Sequence, residues 1–377
     1  MRGGGRTVRP ALAAVGLAVA VGGVAAGIGL HSRSTSARQA GPAVTRSPAP
    51  ALAVTTPVPK PTWEAAPWFA PYGSVVTAWD STRKQLVAYA DPAAKSSETA
   101  GHIWTWDGTW REQHPATAAA PGMYVGAQLF VDLPALRGVV LLGGDARTSV
   151  GDPVGGNWLW DGTAWTPLPN AGMGYCLRPT SAAWDEHRGH LVVVASNQCS
   201  GGSNPPPPQT WTFDGHGWQR RADPPDGAVM AWDPEAQAVV LIGTSGGKAA
   251  AWNWTGTAWS RASVSSLTLP RDSRAAWDAP SGVLAIYSGA VYDGSSPARV
   301  LAYSKAGFRE IPQTGYPEYP VGIVADTTHG RLLAVGVEPV PAAATPAPSD
   351  DSKDRYVLAW TGTTWAHVTY AELGGGM

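Results

Sequence analysis

Few residues in this chain are of a type that does chemistry, and their spacing decides which kind. Cys176 and Cys199 are its two cysteines, too few for a disulfide scaffold and in the wrong pattern for a four-ligand zinc site. One disulfide is the use left open to them. Among eight histidines, His102 and His114 sit symmetrically about Gly108, as cross-strand neighbours on a hairpin would. Two ligands on an outer strand pair seldom hold a physiological zinc ion, so a solvated edge is expected there. His187 and His190 fall in a short turn and read as turn residues. No catalytic set, metal site or cofactor is expected from these residues.

A second group of side chains is suited to binding. Trp68 and Tyr72, then Tyr124, then Tyr175 and Arg178, then Arg271, then Tyr316, Glu318 and Tyr319 recur ahead of successive strands of a repeat. Aromatic faces with a few charges at the edge make a shallow platform for a glycan or an extended peptide. The alternative is that these segments pack on one another and on neighbouring prolines.

What would position them is the repeat itself. A strand ending in Trp-Asp or its equivalent occurs at Trp79-Asp80, Val131-Asp132, Trp184-Asp185, Trp232-Asp233, Trp277-Asp278 and Ala325-Asp326, with 52, 53, 48, 45 and 48 residues between aspartates. A buried-strand run follows each time, as in Gln85 to Ala90 and Val283 to Tyr287. After a loop of variable length comes a hairpin of nearly constant letters: WTWDGTW from Trp104, WLWDGTAW from Trp158, WTFDGHGW from Trp211, WNWTGTAW from Trp252, LAYSKAGF from Leu301 and LAWTGTTW from Leu358. Asp-Gly or Thr-Gly between alternating aromatics is a strong hairpin signal, because glycine supplies the positive φ of a tight turn. Each unit is therefore four antiparallel strands, A to D. Six such sheets packed radially bury both aromatic faces of every sheet, which predicts an all-β, six-bladed propeller over residues 61–377. Pro61 to Glu64 reads as a stray D strand that would pair near the last unit.

Thirteen of the 19 tryptophans lie in the C–D hairpins and four more end A strands, so they are expected to be inter-blade core rather than a sugar platform. The A–B and C–D turns share one face and are short; the B–C and D–A loops share the other and are long. Long loops on a rigid scaffold are where binding resides, so the second face is the expected functional face.

These repeats resemble the kelch repeat and the central propeller of galactose oxidase-like proteins over nearly all of Ser74 to Tyr370. The chain is a divergent relative: the double glycine that usually ends strand B is complete only at Gly143-Gly144, and the fifth unit has Tyr303 and Phe308 in place of tryptophan. The resemblance implies a copper-radical oxidase only where two histidines, two tyrosines and a Tyr–Cys crosslink meet, and that set is missing. Nor does the hairpin string match the Asp-box of sialidases, whose Asp and Gly are separated by one residue. The expected function is a non-catalytic module that binds a glycan, a peptide or an envelope protein. An extracellular hydrolase or oxidase with a loop-borne site is the alternative.

The N-terminus concerns location. Arg2, Arg6 and Arg9 precede an uncharged run from Ala11 to Leu30, whose twenty residues would span roughly 30 Å as a helix. Residues 1–10 then read as a basic cytoplasmic end, 11–30 as a membrane anchor or a cleaved signal, and 31–60 as a Ser/Thr/Ala/Pro-rich disordered linker. The propeller would sit outside the cell, tethered or secreted. With net charge −1 and no charged block in the folded part, nucleic acid is not an expected partner.

Placed in the D–A and B–C loops of the third unit, Cys176 and Cys199 should be joined in the exported protein and contribute roughly 3 kcal/mol by closing their loop. A thiol titration of protein from its native envelope should find no reactive cysteine; two would refute the bond.

Overall fold

A computed structural model describes residues 75–90, 101–108, 110–116, 121, 129–147, 153–169, 177–197, 206–270, 273–288, 299–312, 318–337 and 355–368. All of them belong to one compact unit, Thr62–Met377. The Pro61–Glu64 strand, the N-terminal segments and both cysteines lie outside the described residues.

The described strands form six sheets. The first holds β1 (Val75–Asp80), β2 (Gln85–Ala90), β3 (His102–Trp106) and β4 (Trp110–Gln113). The second holds β5 (Leu129–Leu133), β6 (Gly138–Arg147), β7 (Pro153–Trp160) and β8 (Trp165–Leu168). The third holds β9 (Leu177–Asp185), β10 (His190–Asn197), β11 (Gln209–Phe213) and β12 (Trp218–Arg220). In the fourth are β13 (Gly227–Asp233), β14 (Ala238–Ser245), β15 (Lys248–Trp254) and β16 (Trp259–Val264). In the fifth are β17 (Arg274–Asp278), β18 (Val283–Ser288), β19 (Arg299–Ser304) and β20 (Gly307–Ile311). The sixth has β21 (Glu318–Asp326), β22 (Arg331–Val337), β23 (Arg355–Trp360) and β24 (Trp365–His367). Strands pair in chain order in every sheet, so each blade is a complete antiparallel meander.

Ring closure follows from the contacts of the first strands. β1 lies against β5, β5 against β9, β9 against β13, β13 against β17, β17 against β21, and β21 returns to β1. The axis is therefore bordered by six A strands, as the repeat predicts. Six apolar cores fill the gaps between neighbouring blades. Ala78, Val87 and Tyr89 pack on Phe130, Val139 and Trp160 between the first two blades. Trp79, Leu86 and Trp106 pack on Val324, Leu333 and Val357 where the last blade meets the first. Among the described residues the ring is thus closed by side-chain packing, with no strand exchanged between terminal blades.

One register differs from the sequence expectation. In five blades the aspartate ending strand A pairs with the residue five positions on, as Asp80 does with Gln85 and Asp185 with His190. In the second blade it is Leu133 that pairs in this way, with Gly138. Val131-Asp132 is therefore one residue out of register with the other Trp-Asp pairs, and Asp132 occupies the position held elsewhere by Trp79, Trp184, Trp232 and Trp277. Because side chains alternate along a strand, this one-residue slip turns the carboxylate from the cap position to the seam with the preceding blade.

The hairpin tryptophans are core, as expected. Trp160 and Trp254 are among the largest fully buried side chains, and Trp254 donates its Nε1–H to His190 Nε2 at 3.0 Å across the third and fourth blades. Trp254→Ala should cost about 3–5 kcal/mol in urea unfolding. Val264, 49% exposed on the outer strand of the same blade, should cost under about 0.5 kcal/mol on the same replacement.

Candidate functional site

The two mouths of the ring are built differently. At the D–A end, three of the six inner strands are irregular. In β9, Ser181 pairs with Val194 and Pro179 with Ala195, so Thr180 is an extra residue. Its side chain is exposed and its hydroxyl donates to the Val194 carbonyl at 3.1 Å. In β13, Gly227 pairs with Gly243 and Val229 with Ile242, leaving Ala228 as the extra residue. In β21 the slip is larger: Glu318 pairs with Val337 and Gly322 with Val335, so Tyr319 to Val321 oppose a single residue. Bulges bend a strand and re-aim its side chains, and they recur beside functional sites.

Of the residues expected at this rim, three fall on these strands. Arg178 pairs with Ser196 in β9, and its side chain is half-buried. The backbone of Glu318 and Tyr319 lies in β21, within the irregular stretch. The third and sixth blades are three steps apart in a ring of six, so the strands that carry Arg178 and Glu318 lie on opposite sides of the axis. Trp68, Tyr72, Tyr124, Tyr175, Arg271 and Tyr316 lie outside the described residues, as do Cys176 and Cys199. Thr180 was not anticipated. Its signal was nonetheless present, since Pro179 and Pro320 each break a run that otherwise reads as strand, and proline inside a sheet is confined to edges and bulges.

The A–B and C–D end is closed by a repeated device. Asp80 is fully buried, and its Oδ1 accepts the amides of Thr82 at 3.1 Å and Arg83 at 3.0 Å. Its Oδ2 takes Arg83 Nη1 at 3.0 Å, while the same nitrogen donates to the Arg137 carbonyl of the next blade at 2.9 Å. Asp185 repeats the arrangement with the Arg188 amide at 3.1 Å and Arg188 Nη1 at 2.9 Å. Asp326 uses His329 Nδ1 at 2.7 Å and Arg331 Nε at 3.0 Å. Arg83 and Arg188 also lie over Gly162 and Gly256, at φ +95° and +100°, in the C–D turns of the following blades. A side chain at either glycine would both strain the backbone and meet the guanidinium. These aspartates and arginines are therefore ties within and between blades.

His102 and His114 follow the expectation of an edge and His187 that of a turn, whereas His190, expected in the turn, opens strand β10 and lies half-buried at the seam with the fourth blade. His102 Nδ1 meets Glu112 Oε1 at 2.6 Å on the first blade's outer strands, with His114 exposed nearby. Burial pushes His190 below its ordinary range, consistent with Nε2 accepting from Trp254. Among the described residues no group of three or more His, Cys, Asp or Glu could hold a metal ion.

Solved structures similar to this chain include the Aleuria aurantia lectin in complex with α-methyl-L-fucoside, at 13% identity over 82% of this chain and 99% of that one, with a TM-score of 0.51. AofleA from Arthrobotrys oligospora matches at 13% identity over 78% and 84%, with a TM-score of 0.49. A gluconolactonase from Xanthomonas campestris matches at 18% over 70% and 83%, with a TM-score of 0.45. The chain has a six-bladed β-propeller fold. Such identities speak to the fold alone. No family model and no curated protein matches the chain.

The tie at the short-turn face can be tested directly. Arg188→Ala leaves Asp185 buried without its cation and uncovers the Gly256 turn, and because Arg188 is itself 28% exposed the loss should be about 1–3 kcal/mol in urea unfolding. Arg220→Ala, which removes a largely exposed pair with Asp223, should cost no more than about 1 kcal/mol. Equal losses would show that the buried aspartates do not depend on their arginines.

Proposed function

We propose that this chain is a non-catalytic binding module that takes a glycan, a peptide or an envelope protein at its B–C/D–A face. The observation that carries the reading is the contrast between the two mouths. Buried aspartates and arginines commit the A–B end to holding blades together. The D–A end instead has bulged inner strands in the third, fourth and sixth blades, with Thr180 an exposed extra residue and the backbone of Arg178 and Glu318 on bulged strands, which supports a rim that includes them. Bulges that bend strands only at one mouth fit a surface shaped for contact rather than for packing.

Aromatic anchors among Trp68, Tyr72, Tyr124, Tyr175, Tyr316 and Tyr319 would supply most of the contact energy, and Arg178, Arg271 and Glu318 would orient polar groups. The Aleuria aurantia lectin, solved with α-methyl-L-fucoside, makes glycans the first class to test. The kelch-like lineage suggested by the hairpins belongs to this proposal, as does location: residues 11–30 would export the propeller and either anchor it in the membrane or be cleaved, and residues 31–60 would hold it away from the surface.

Tyr124→Ala with Tyr316→Ala should abolish retention on the cell-wall fraction that binds the wild-type protein. Asp161→Asn with His187→Ala, in turns of the opposite face, should leave retention intact. A pull-down with both double variants checks this, with circular dichroism to confirm folding. The reverse pattern would move the site to the short-turn face and refute the proposal.

A further inference from the structure

The second blade departs from the pattern that four of the other blades keep at the inner seam, the sixth having Ala325 there. Trp79, Trp184, Trp232 and Trp277 precede the capping aspartates of their strands, and each packs toward the preceding blade. The register of β5 puts Asp132 in that position instead. Its Oδ1 accepts the Ser81 amide of the first blade at 3.3 Å, the residue immediately after the buried Asp80.

The surroundings of this carboxyl are unusual for an acid. The charges of Asp80 on the first blade, already committed to Arg83, and of Glu186 on the third act on it. On its own blade the nearest cationic residue in the chain is Arg137 in the turn that follows, where the backbone carbonyl is the acceptor for Arg83. No ion pair reaches Asp132 among the described residues. Burial pushes its carboxyl up to about 7, against the opposing hydrogen bonds from the Ser81 hydroxyl and amide, with Asp80 and Glu186 adding to the rise. Burial likewise raises Glu186, opposed by the Trp232 indole, although the side chain is exposed overall.

We propose that Asp132 makes the seam between the first and second blades a proton-operated latch, tight while its carboxyl is neutral and loosened once it is ionised. A neutral carboxyl tolerates the site that an indole fills in other blades. An ionised one puts charge into a half-buried site where Asp80 and Glu186 already act against it. The sign follows from linkage. The folded seam keeps a proton that the opened seam releases near the ordinary carboxylate range, so protection is greatest at about pH 4 and declines as pH rises. It levels off above about 7, where both forms are ionised.

The test is hydrogen exchange of the full chain between pH 4.5 and 8.5, corrected for intrinsic rates and read at the peptides holding Ser81 and Leu129–Leu133. Wild-type protection should fall relative to Asp132→Asn as pH rises to 7, by up to roughly tenfold per pH unit, and then hold level. At the seam of the third and fourth blades, where Trp232 holds the position, the two proteins should exchange alike. A wild-type seam whose protection tracks that of Asp132→Asn across the range overturns the latch. Should Asp132→Asn fail to fold, Glu186→Gln serves: it removes one of the charges that act on Asp132, so its fall should end at a lower pH than in the wild type. An unchanged curve in Glu186→Gln would also overturn the proposal.

Discussion

A four-stranded sheet that is apolar on both faces cannot be satisfied by water on either side, and this constraint organises the whole chain. Leu86, Val139, Leu191, Val239, Leu284 and Leu333 are all fully buried on second strands, each between two neighbouring blades. Each such side chain contributes about 1.5–3 kcal/mol when removed from water, but only if a partner blade covers it. The sheets therefore stabilise one another in sequence, and the arrangement is complete only when the sixth blade packs on the first. Trp79 and Trp106 against Val324 and Val357 supply that last contact by shape and apolar area. Because every blade is its own meander, the ends of the ring meet as two ordinary faces.

Once packing fixes the blades, the two ends of the inner strands are free to specialise. A strand entering a four-residue turn leaves amides that need acceptors, and a buried aspartate at the strand end supplies them locally. The same carboxylate then needs a cation, and Arg83 and Arg188 meet that need while reaching the next blade's turn. Asp80, Asp185 and Asp326 each answer such a demand of the fold, while Asp233 caps its turn through backbone amides alone. At the other mouth the bulges in β9, β13 and β21 do the opposite, since an extra residue leaves the ladder locally unpaired.

Much of the fold was legible because its signals are local. Asp-Gly turns between tryptophans mark hairpins within eight residues, and the runs of Val, Leu and Ala after each Trp-Asp mark the second strands; both sets of strands form as read. The site was less legible for a physical reason. The residues expected at the rim, Tyr124 and Tyr316 among them, belong to long loops whose course no short-range periodicity encodes. What the sequence did contain, and what the expected rim overlooked, were breaks within strands. Pro179, Pro320 and Gly227 interrupt otherwise regular inner strands, and each coincides with a bulge or its border.

The second blade shows why alignment by letter and alignment by structure can part company. Read as letters, Val131-Asp132 is the closest match to Trp-Asp in its unit, and the aspartate looks like one more cap. Read as a strand, Val131 and Leu133 share a face two residues apart, and both belong to the core with the third blade. Moving Asp132 into the cap position would turn those two apolar side chains away from that core and point Leu129 away with them. One buried and two partly buried apolar side chains outweigh one capped turn, so packing sets the register and the cap is lost. The turn compensates with Pro134–Leu136 in a 3-10 conformation and Arg137 at φ 56°, whose amide donates to the Pro134 carbonyl at 3.0 Å. An acid in an aromatic position is thus the residue left over when a strand chooses its face by hydrophobic area, and its proton becomes the variable on which that seam turns.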